Sequence, residues 1–417
     1  MTLRVAVVGA GPAGLAAALL LARDGHSVQL FERFAKAGPV GSGLMLQPTG
    51  LTVLHALTLL PEILRLGSRI ERLDGCDAST GRRVLDVRYD SIRGGRFGLG
   101  IHRAALFQVL HDAATREGIP IVTGFDARSL DRDGVLSSGP DRAGPFDLVV
   151  DASGARSAIR AAAVGAPRIR ALHYGALWAT LPFVEEGFDP RALQQRYRRA
   201  SVMAGILPVG RTQPGGPPLA AFFWSCRGDA LAGLRERGLD RWKAEVRAVW
   251  PALEPYLDGL SRFDQLTFAA YAHHTLARPA KRNYVAIGDA AHQTSPQLGQ
   301  GVNMALLDAY ALAKGLREET ALPAALARYR AARRTHVRLY QAASLVLTPF
   351  YQSDGRLVPL LRDTLVPTIA KIPPAPAILA NLVAGRVGDP LGHLQLDEPD
   401  WPTLAEEDPL AAGFPVS

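Results

Sequence analysis

The sequence predicts an α/β (α+β) protein in which a parallel-sheet domain is interrupted by a mixed-sheet domain and followed by a C-terminal helical region. Three observations carry this. A β-branched run, Arg4-Val-Ala-Val-Val, is followed by a glycine-rich turn, a helical apolar stretch and a second run, Val28-Gln-Leu-Phe-Glu32, the order of a βαβ unit. Between residues 169 and 271 the texture changes: aromatics cluster at Tyr174, Trp178, Phe222, Phe223 and Trp224, and residues 208–218 carry Gly/Pro elements that read as a hairpin loop. Val285-Ala-Ile-Gly288 then repeats the buried-strand pattern before two long helical stretches. The expected segments are 1–168 with 272–345 returning to it, an insertion at 169–271, and a proline-rich helical tail at 346–417.

Bulk properties narrow the function classes. With 417 residues the chain can hold two or three domains. Hydrophobic residues at 48% and charged residues at 21% are ordinary for a soluble enzyme, and no repeat or low-complexity tract occurs. The net charge of +8 could serve nucleic acid, an anionic membrane or an anionic substrate. The arginines are scattered, however, with short clusters only at Arg196-Tyr-Arg198-Arg199 and Arg328-Tyr-Arg330-Ala-Ala-Arg333-Arg334. They read as solvated helix faces, so no nucleic-acid partner is expected. Cys76 and Cys226 have no metal-site spacing, and two buried free thiols in a reducing cytoplasm fit them. The apolar N-terminal run is too short to span a bilayer and is broken by Gly11-Pro12.

Taken in order, the elements build a dinucleotide grip. Gly9 makes the tight turn after the first strand, Gly11 lets the backbone approach a pyrophosphate, and Gly14 allows close helix–strand packing. The helix N-terminus holds phosphates, and Glu32, about 20 residues on, accepts from the adenosine ribose. Ala13 and Arg33 complete this expected contact set. Residues 37–43 form a Gly/Pro loop, residues 50–66 a helix, and His102-Arg103 opens another helix. An arginine at a helix start opposes the helix dipole, which suggests an anionic or carbonyl partner for Arg103. Short strands follow at 120–123 and 134–138, then the buried strand ending in Asp151-Ala-Ser-Gly154. Residues 229–250 read as helical.

The most informative stretch is 283–303, Asn-Tyr-Val-Ala-Ile-Gly-Asp-Ala-Ala-His-Gln-Thr-Ser-Pro-Gln-Leu-Gly-Gln-Gly-Val-Asn. It reads as a strand, an acidic turn, a Pro/Gly loop and a helix beginning near Val302. One carboxylate, free backbone N–H groups and a helix N-terminus then face one ligand. That suits hydroxyls at one end and an electron-rich heterocycle at the other, as in a flavin.

Three motifs in this order resemble the single-component aromatic-hydroxylase flavoproteins, the para-hydroxybenzoate hydroxylase class. They are Gly9-x-Gly11-x-x-Gly14 with Glu32; Asp147-Leu-Val-Val-Asp-Ala-Ser-Gly154-x-Arg156-Ser157-x-x-Arg160; and Gly288-Asp289-Ala-Ala-His292-x-x-x-Pro296-x-x-Gly299-Gln-Gly301-x-Asn303. The likeness covers roughly the first 345 residues. It implies a Rossmann-like FAD-binding domain, FAD as cofactor, NADH or NADPH as transient co-substrate, and O2. It implies a monooxygenase hydroxylating a small aromatic or lipophilic substrate through a flavin C4a-hydroperoxide; the alternative is a reductase or dehydrogenase of the same fold that inserts no oxygen.

The resemblance also implies roles. Asp289, after Gly288, would hold the ribityl hydroxyls. Pro296 would lie beside the flavin edge where oxygen adds. The loop from Gly299 through Gly301, with Val302 and Asn303 starting the helix, would cradle the pyrimidine ring. Arg103 would reach the FAD, Gly43 would lie against the isoalloxazine, and Ala127 would contact adenine. His292 reads as a packing or capping residue. One departure stands out: Ser153 occupies a place that is usually aspartate, so the reductant end differs while the flavin end is complete. For acid–base work on the substrate, Tyr271 and His273 lead the candidates, with His173, Tyr174 and His274 behind them, each with a structural role as the alternative. Phe223 and Trp224 are expected as pocket wall or core. The tail is expected to close the back of the pocket, with membrane contact or a dimer surface as lesser roles; a monomer or homodimer fits.

Overall fold

The computed structural model describes residues 1–36, 38, 41–355, 362 and 372–406. Its first layer is a six-stranded sheet ordered Ala280–Lys281, Tyr284–Ala286, Leu148–Asp151, Arg4–Val8, Ser27–Glu32, Ile121–Thr123. All neighbours run parallel except the edge pair Ala280–Lys281 and Tyr284–Ala286. Val5, Ala6, Val7, Leu148, Val149, Val150, Val285 and Ala286 are fully buried, which is why these strands read as continuous apolar runs rather than alternating ones. The helices Pro12–Arg23 and Gly301–Glu318 pack on one face and bury Leu15, Leu19, Leu306, Leu307 and Leu312 in a common core.

The second layer is a mixed sheet of eight strands in the order His292–Gln293, Thr267–Thr275, Arg170–Pro182, Leu219–Arg227, Val202–Gly210, Ala192–Arg198, Arg72–Asp77, Arg83–Arg88. It is wider than the 169–271 insertion. Two strands come from within 1–168 and one from within 272–345. Ala192–Arg198 runs parallel to Arg72–Asp77, placing Gln195 opposite Gly75. A Cβ at Gly75 would lie 2.6 Å from the Tyr197 ring, so glycine permits this junction.

Alternation along the strands decides which aromatics face which way. Trp224 and Phe222 point to the outer face, against Trp242 with ring centroids 6.3 and 6.1 Å away, where Val246, Leu253 and Leu257 complete a core. Phe223 points to the inner face and packs on Trp178 at 4.8 Å. Phe223 is thus wall on the side toward the first domain, and Trp224 is core.

Two predicted helices are each broken in two. Residues 50–66 form Pro48–Ala56 and Leu60–Leu66, separated at Thr58 with φ 57°, and residues 229–250 form Leu231–Glu236 and Leu239–Val249, separated at Gly238 with φ 86°. A positive φ cannot continue a right-handed helix. The long helix Leu322–Tyr351 tolerates Pro349 in its last turn. In the tail, helix Ala375–Val383 buries Ala380 and Val383 against Met45 and Tyr89, closing the back of the molecule there. The apolar stretch beginning at Leu365 lies outside the described residues. No helix among the described residues is long and apolar enough to cross a membrane. Cys76 and Cys226 are buried free thiols.

Candidate cofactor and substrate site

The first strand ends in Gly9, whose φ of 104° and tight approach to Ala152 leave no room for a side chain: a Cβ would sit 2.6 Å from the Ala152 carbonyl oxygen. A Cβ at Gly14 would sit 1.9 Å from the Gly9 carbonyl oxygen. Gly11 differs, since nothing lies within 4 Å of its missing Cβ. Gly11 caps helix Pro12–Arg23 with no side-chain hydrogen bond, so the first N–H groups of that helix are available. Glu32 is buried, and its carboxylate accepts from Ala10 N at 2.9 Å and Phe34 N at 3.1 Å. It locks the loop to the second strand with lone pairs to spare. Arg33 stacks over Phe34 at 4.6 Å, and Ala127 is buried beside Phe31 and Phe125.

The distant 288–303 segment folds onto this loop. A Cβ at Gly288 would lie 3.3 Å from the Ala13 Cβ, so the two motifs lie side by side. The Asp289 carboxyl is reachable by solvent yet enclosed by protein, which places it in a recess. Enclosure raises its pKa above 3.8 against the opposing pull of His292 and Arg103. Arg103 begins helix Arg103–Arg116, its N–H donates to Ser42 O at 2.9 Å, and its side chain lies along Gly41. Gly299 adopts the left-handed conformation, and nothing lies within 4 Å of the missing Cβ at Gly301, where the uncapped helix Gly301–Glu318 begins. Pro296 is exposed, while Thr294 Oγ1 and Gln297 Nε2 are buried without a protein partner. Open cradles at Gly11 and Gly301, orphaned polar atoms and a recessed carboxylate fit a long nucleotide ending in a heterocycle.

The Asn303 side chain and the missing side chain of Gly43 both face the fold rather than a ligand. The Asn303 side chain is wholly buried and committed: Oδ1 accepts from Gln47 N at 2.8 Å, and Nδ2 donates to Gly299 O at 2.8 Å and Met45 O at 3.2 Å. Only its backbone, with that of Val302, is left for a ligand. At Gly43 a Cβ would meet Val209 at 2.3 Å and Ala221 at 2.9 Å, so this glycine joins the small sheet Gly43–Leu46 to the mixed sheet.

Behind the Asp289 turn lies a buried ionic network that sequence reading missed. Asp308, 0% exposed, accepts from Gly288 N at 2.9 Å, His292 Nε2 at 2.6 Å and Arg333 Nε at 2.7 Å. Burial pushes its carboxyl up, but His292 and Arg333 outweigh it and hold the group well below the ordinary range. Arg333 is 3% exposed, which corrects the reading of its cluster as a solvated face. It touches His336 Nδ1 at 3.3 Å, and His336 Nε2 meets Gly385 O at 2.9 Å, tying the tail to the turn. His292 is buried and held by Asp308.

The central motif is equally buried. Asp151, 0% exposed, accepts from Ser153 N at 3.0 Å, Ser153 Oγ at 2.5 Å, Tyr284 OH at 2.6 Å and Ser157 Oγ. The departing residue Ser153 is thus absorbed into the fold. Arg160 donates to Ala290 O at 2.8 Å and Ala155 O at 2.9 Å, bracing the turn beside Asp289.

The substrate candidates separate. Tyr271 is half-buried on the inner side, its hydroxyl accepting from Trp178 Nε1 at 2.9 Å. Burial pushes its pKa up to about 12. At neutral pH it is a donor, so general-base work near neutrality does not fall to it. His273 is elsewhere: Nδ1 meets Gln341 Oε1 at 3.4 Å in a cleft lined by Arg168 and Arg170. Burial lowers its pKa. His274 sits against Arg160 at 3.1 Å, with burial bringing its pKa to about 4. Tyr174 donates to Asp354 at 2.5 Å, and His173 is exposed. Among the described residues no cluster of His, Cys, Asp or Glu has the arrangement of a metal site.

Comparison with known proteins supplies independent findings. The FAD binding domain family matches residues 2–344. The chain is 31% identical over 337 residues to 3-amino-4-hydroxybenzoate 2-monooxygenase of Streptomyces cremeus, covering 73% of this chain and 76% of that one. It is 29% identical over 404 residues to 6-methylpretetramide 4-monooxygenase of Streptomyces rimosus, covering 91% and 92%. Its fold is similar to the crystal structure of 2-methyl-3-hydroxypyridine-5-carboxylic acid oxygenase, with TM-score 0.77 and 22% identity, covering 94% of this chain and 98% of that one.

Proposed function

The chain belongs to the FAD-dependent aromatic hydroxylases, and from that premise we propose a specific activity: insertion of one oxygen atom of O2 into a small, electron-rich aromatic or lipophilic substrate, with NADH or NADPH as transient electron donor. The observation that carries the reading is the close approach of Gly288 to Ala13. It brings the uncapped helix at Gly11 and the Asp289 turn side by side, within reach of one extended ligand. Bound there, FAD supplies the capacity to take up hydride and activate dioxygen.

The chain's own residues do the holding. The N–H groups after Gly11 bind pyrophosphate, and Glu32 accepts from a ribose hydroxyl. Asp289, with Arg103 near, takes the ribityl hydroxyls. The backbone at Gly299 and Gly301–Asn303 carries the ring, and Pro296 and Gly43 line its edge. The substrate lies on the inner face of the mixed sheet, where Trp178 and Phe223 exclude water and Tyr271 directs its proton at a ring oxygen. One relative's name speaks of a hydroxybenzoate substrate, which favours a phenol here.

The test is a screen of phenols, hydroxypyridines and indoles for substrate-stimulated NADH or NADPH oxidation, with mass spectrometry under isotopically labelled O2. Product that gains one labelled oxygen is expected. Stimulated oxidation that yields only peroxide with every substrate, or an oxidised product without added oxygen, would overturn it. Asp289→Ala is expected to purify without flavin colour, which checks the cofactor assignment separately.

A further inference from the structure

We propose that the cleft between strand Arg170–Pro182, strand Thr267–Thr275 and helix Leu322–Tyr351 is a binding site for an amphipathic anion, a phosphate- or carboxylate-bearing molecule with an apolar or planar body. The cleft encloses about 610 Å³, a volume within the usual range for small-molecule sites. Arg168 and Arg170 stand on its lip. Among the described residues neither side chain makes a hydrogen bond or ion pair, and no acidic residue lines the cleft. Unpaired cations on a single wall, with no counter-charge nearby, leave a field that an anion satisfies.

The floor provides the second observation. His273 is 4% exposed, lines the cleft, and its Nε2 has no partner. Its other nitrogen is fixed. Gln341 Nε2 donates to Gln293 O at 3.0 Å and His274 O at 3.3 Å, so Gln341 Oε1 faces His273 Nδ1. An amide oxygen only accepts, so Nδ1 carries the proton, and Nε2, buried in a residue that lines the cleft, keeps a lone pair that no donor meets. A buried nitrogen in this state costs free energy until a ligand meets it. An anion does so by drawing a proton from solvent onto Nε2, making a charge-assisted contact beside the two arginines. Ile169, 53% exposed, and Leu345, 40% exposed, add an apolar rim that a bare inorganic ion would not use. Two sources share this chemistry, the phosphates of a nicotinamide dinucleotide and the carboxylate of an aromatic acid. The site does not depend on oxygen insertion.

Isothermal titration calorimetry on the FAD-loaded enzyme tests this with inorganic pyrophosphate, and Arg168→Ala/Arg170→Ala as the variant. Both arginines are exposed, so the variant is expected to fold and keep its flavin. Binding to the wild type, weakened about tenfold or more in the variant, is expected. Sulfate, whose charge is constant there, is expected to bind more tightly as pH falls from about 8 to about 6. That proton goes to His273, whose charged neighbours are Arg170 on the paired strand and, against the adjoining His274, Arg160. Competition of NADPH or of benzoate with pyrophosphate identifies the source, and either one supports the site. Failure of all three to bind, or equal binding by the variant, overturns it, whatever the oxygenation screen shows.

Discussion

The Trp178 indole N–H donates to the Tyr271 hydroxyl across 2.9 Å. The phenol oxygen is therefore an acceptor toward the sheet, and its own proton points away from it. Because burial carries its pKa to about 12, that proton stays in place throughout the working pH range. Tyr271→Phe is expected to lower kcat/KM by roughly fivefold to tenfold, the worth of one neutral hydrogen bond. The shape of the pH–rate profile between about 6 and about 9 should not change, since no ionisation of Tyr271 falls there. A profile that loses a limb in the variant would show that Tyr271 is the titrating base after all.

The glycines of the first turn make separable predictions. Gly14→Ala forces a Cβ to within 1.9 Å of the Gly9 carbonyl oxygen, so the turn must open and the fold suffers. A Cβ at Gly11 meets nothing within 4 Å, so Gly11→Val is expected to leave the apoprotein about as stable as wild type. It nonetheless fills the space where a pyrophosphate would lie against the helix end. The expected pattern is loss of visible flavin absorbance with an unchanged apoprotein melting temperature for Gly11→Val. For Gly14→Ala, poor yield or a lowered melting temperature is expected. Full flavin content in Gly11→Val would place the cofactor elsewhere.

The contrast between these glycines shows what was legible in the sequence. Strand, turn and helix lie within one local stretch, so the tight turn at Gly9 and the close packing at Gly14 could be read from spacing alone. The pairing of Ala192–Arg198 with Arg72–Asp77 could not, because it joins segments more than a hundred residues apart without a local signal. Which of Phe223 and Trp224 faces the site depended on sheet register, where one residue's shift exchanges the faces. Arg333 was hidden by its neighbours: Arg328, Arg330 and Arg334 are exposed, and only helix phase and the acceptor on Asp308 distinguish the buried one.

That buried pair has a pH signature. The Asp308 carboxyl is held below the 3.8 of a free aspartate, so its ionised form stabilises the folded state above that value. The contribution is fully present at neutral pH and is lost only as pH falls below the ordinary range toward the depressed value. Asp308→Asn leaves Arg333 and His292 buried with no anion, at a cost of about 3 kcal/mol. The variant should melt well below wild type at about pH 7 and lose part of its flavin, because Gly288 N and the Asp289 turn lose their anchor. The gap should narrow in strong acid, where wild type gives up the same interaction. Equal melting temperatures at neutral pH would remove Asp308 from this role.

Ser153 offers the sharpest test of how the central motif is built. Asp151 already receives four donors in a site with no solvent exposure, two of them from Ser153 itself. Ser153→Ala removes one hydroxyl donor and should cost about 1 kcal/mol with FAD retained. Ser153→Asp instead sets a second carboxylate against a buried, saturated one. Like charges this close raise one partner's pKa, so the penalty is largest at neutral pH and eases as pH falls and one carboxyl takes a proton. Melting temperatures at about pH 7 should therefore rank wild type above Ser153→Ala and Ser153→Ala above Ser153→Asp, with the last recovering toward about pH 5. If Ser153→Asp matched wild type at neutral pH, its side chain must swing outward. Position 153 would then be free to meet the reductant rather than being bound into the fold through Asp151.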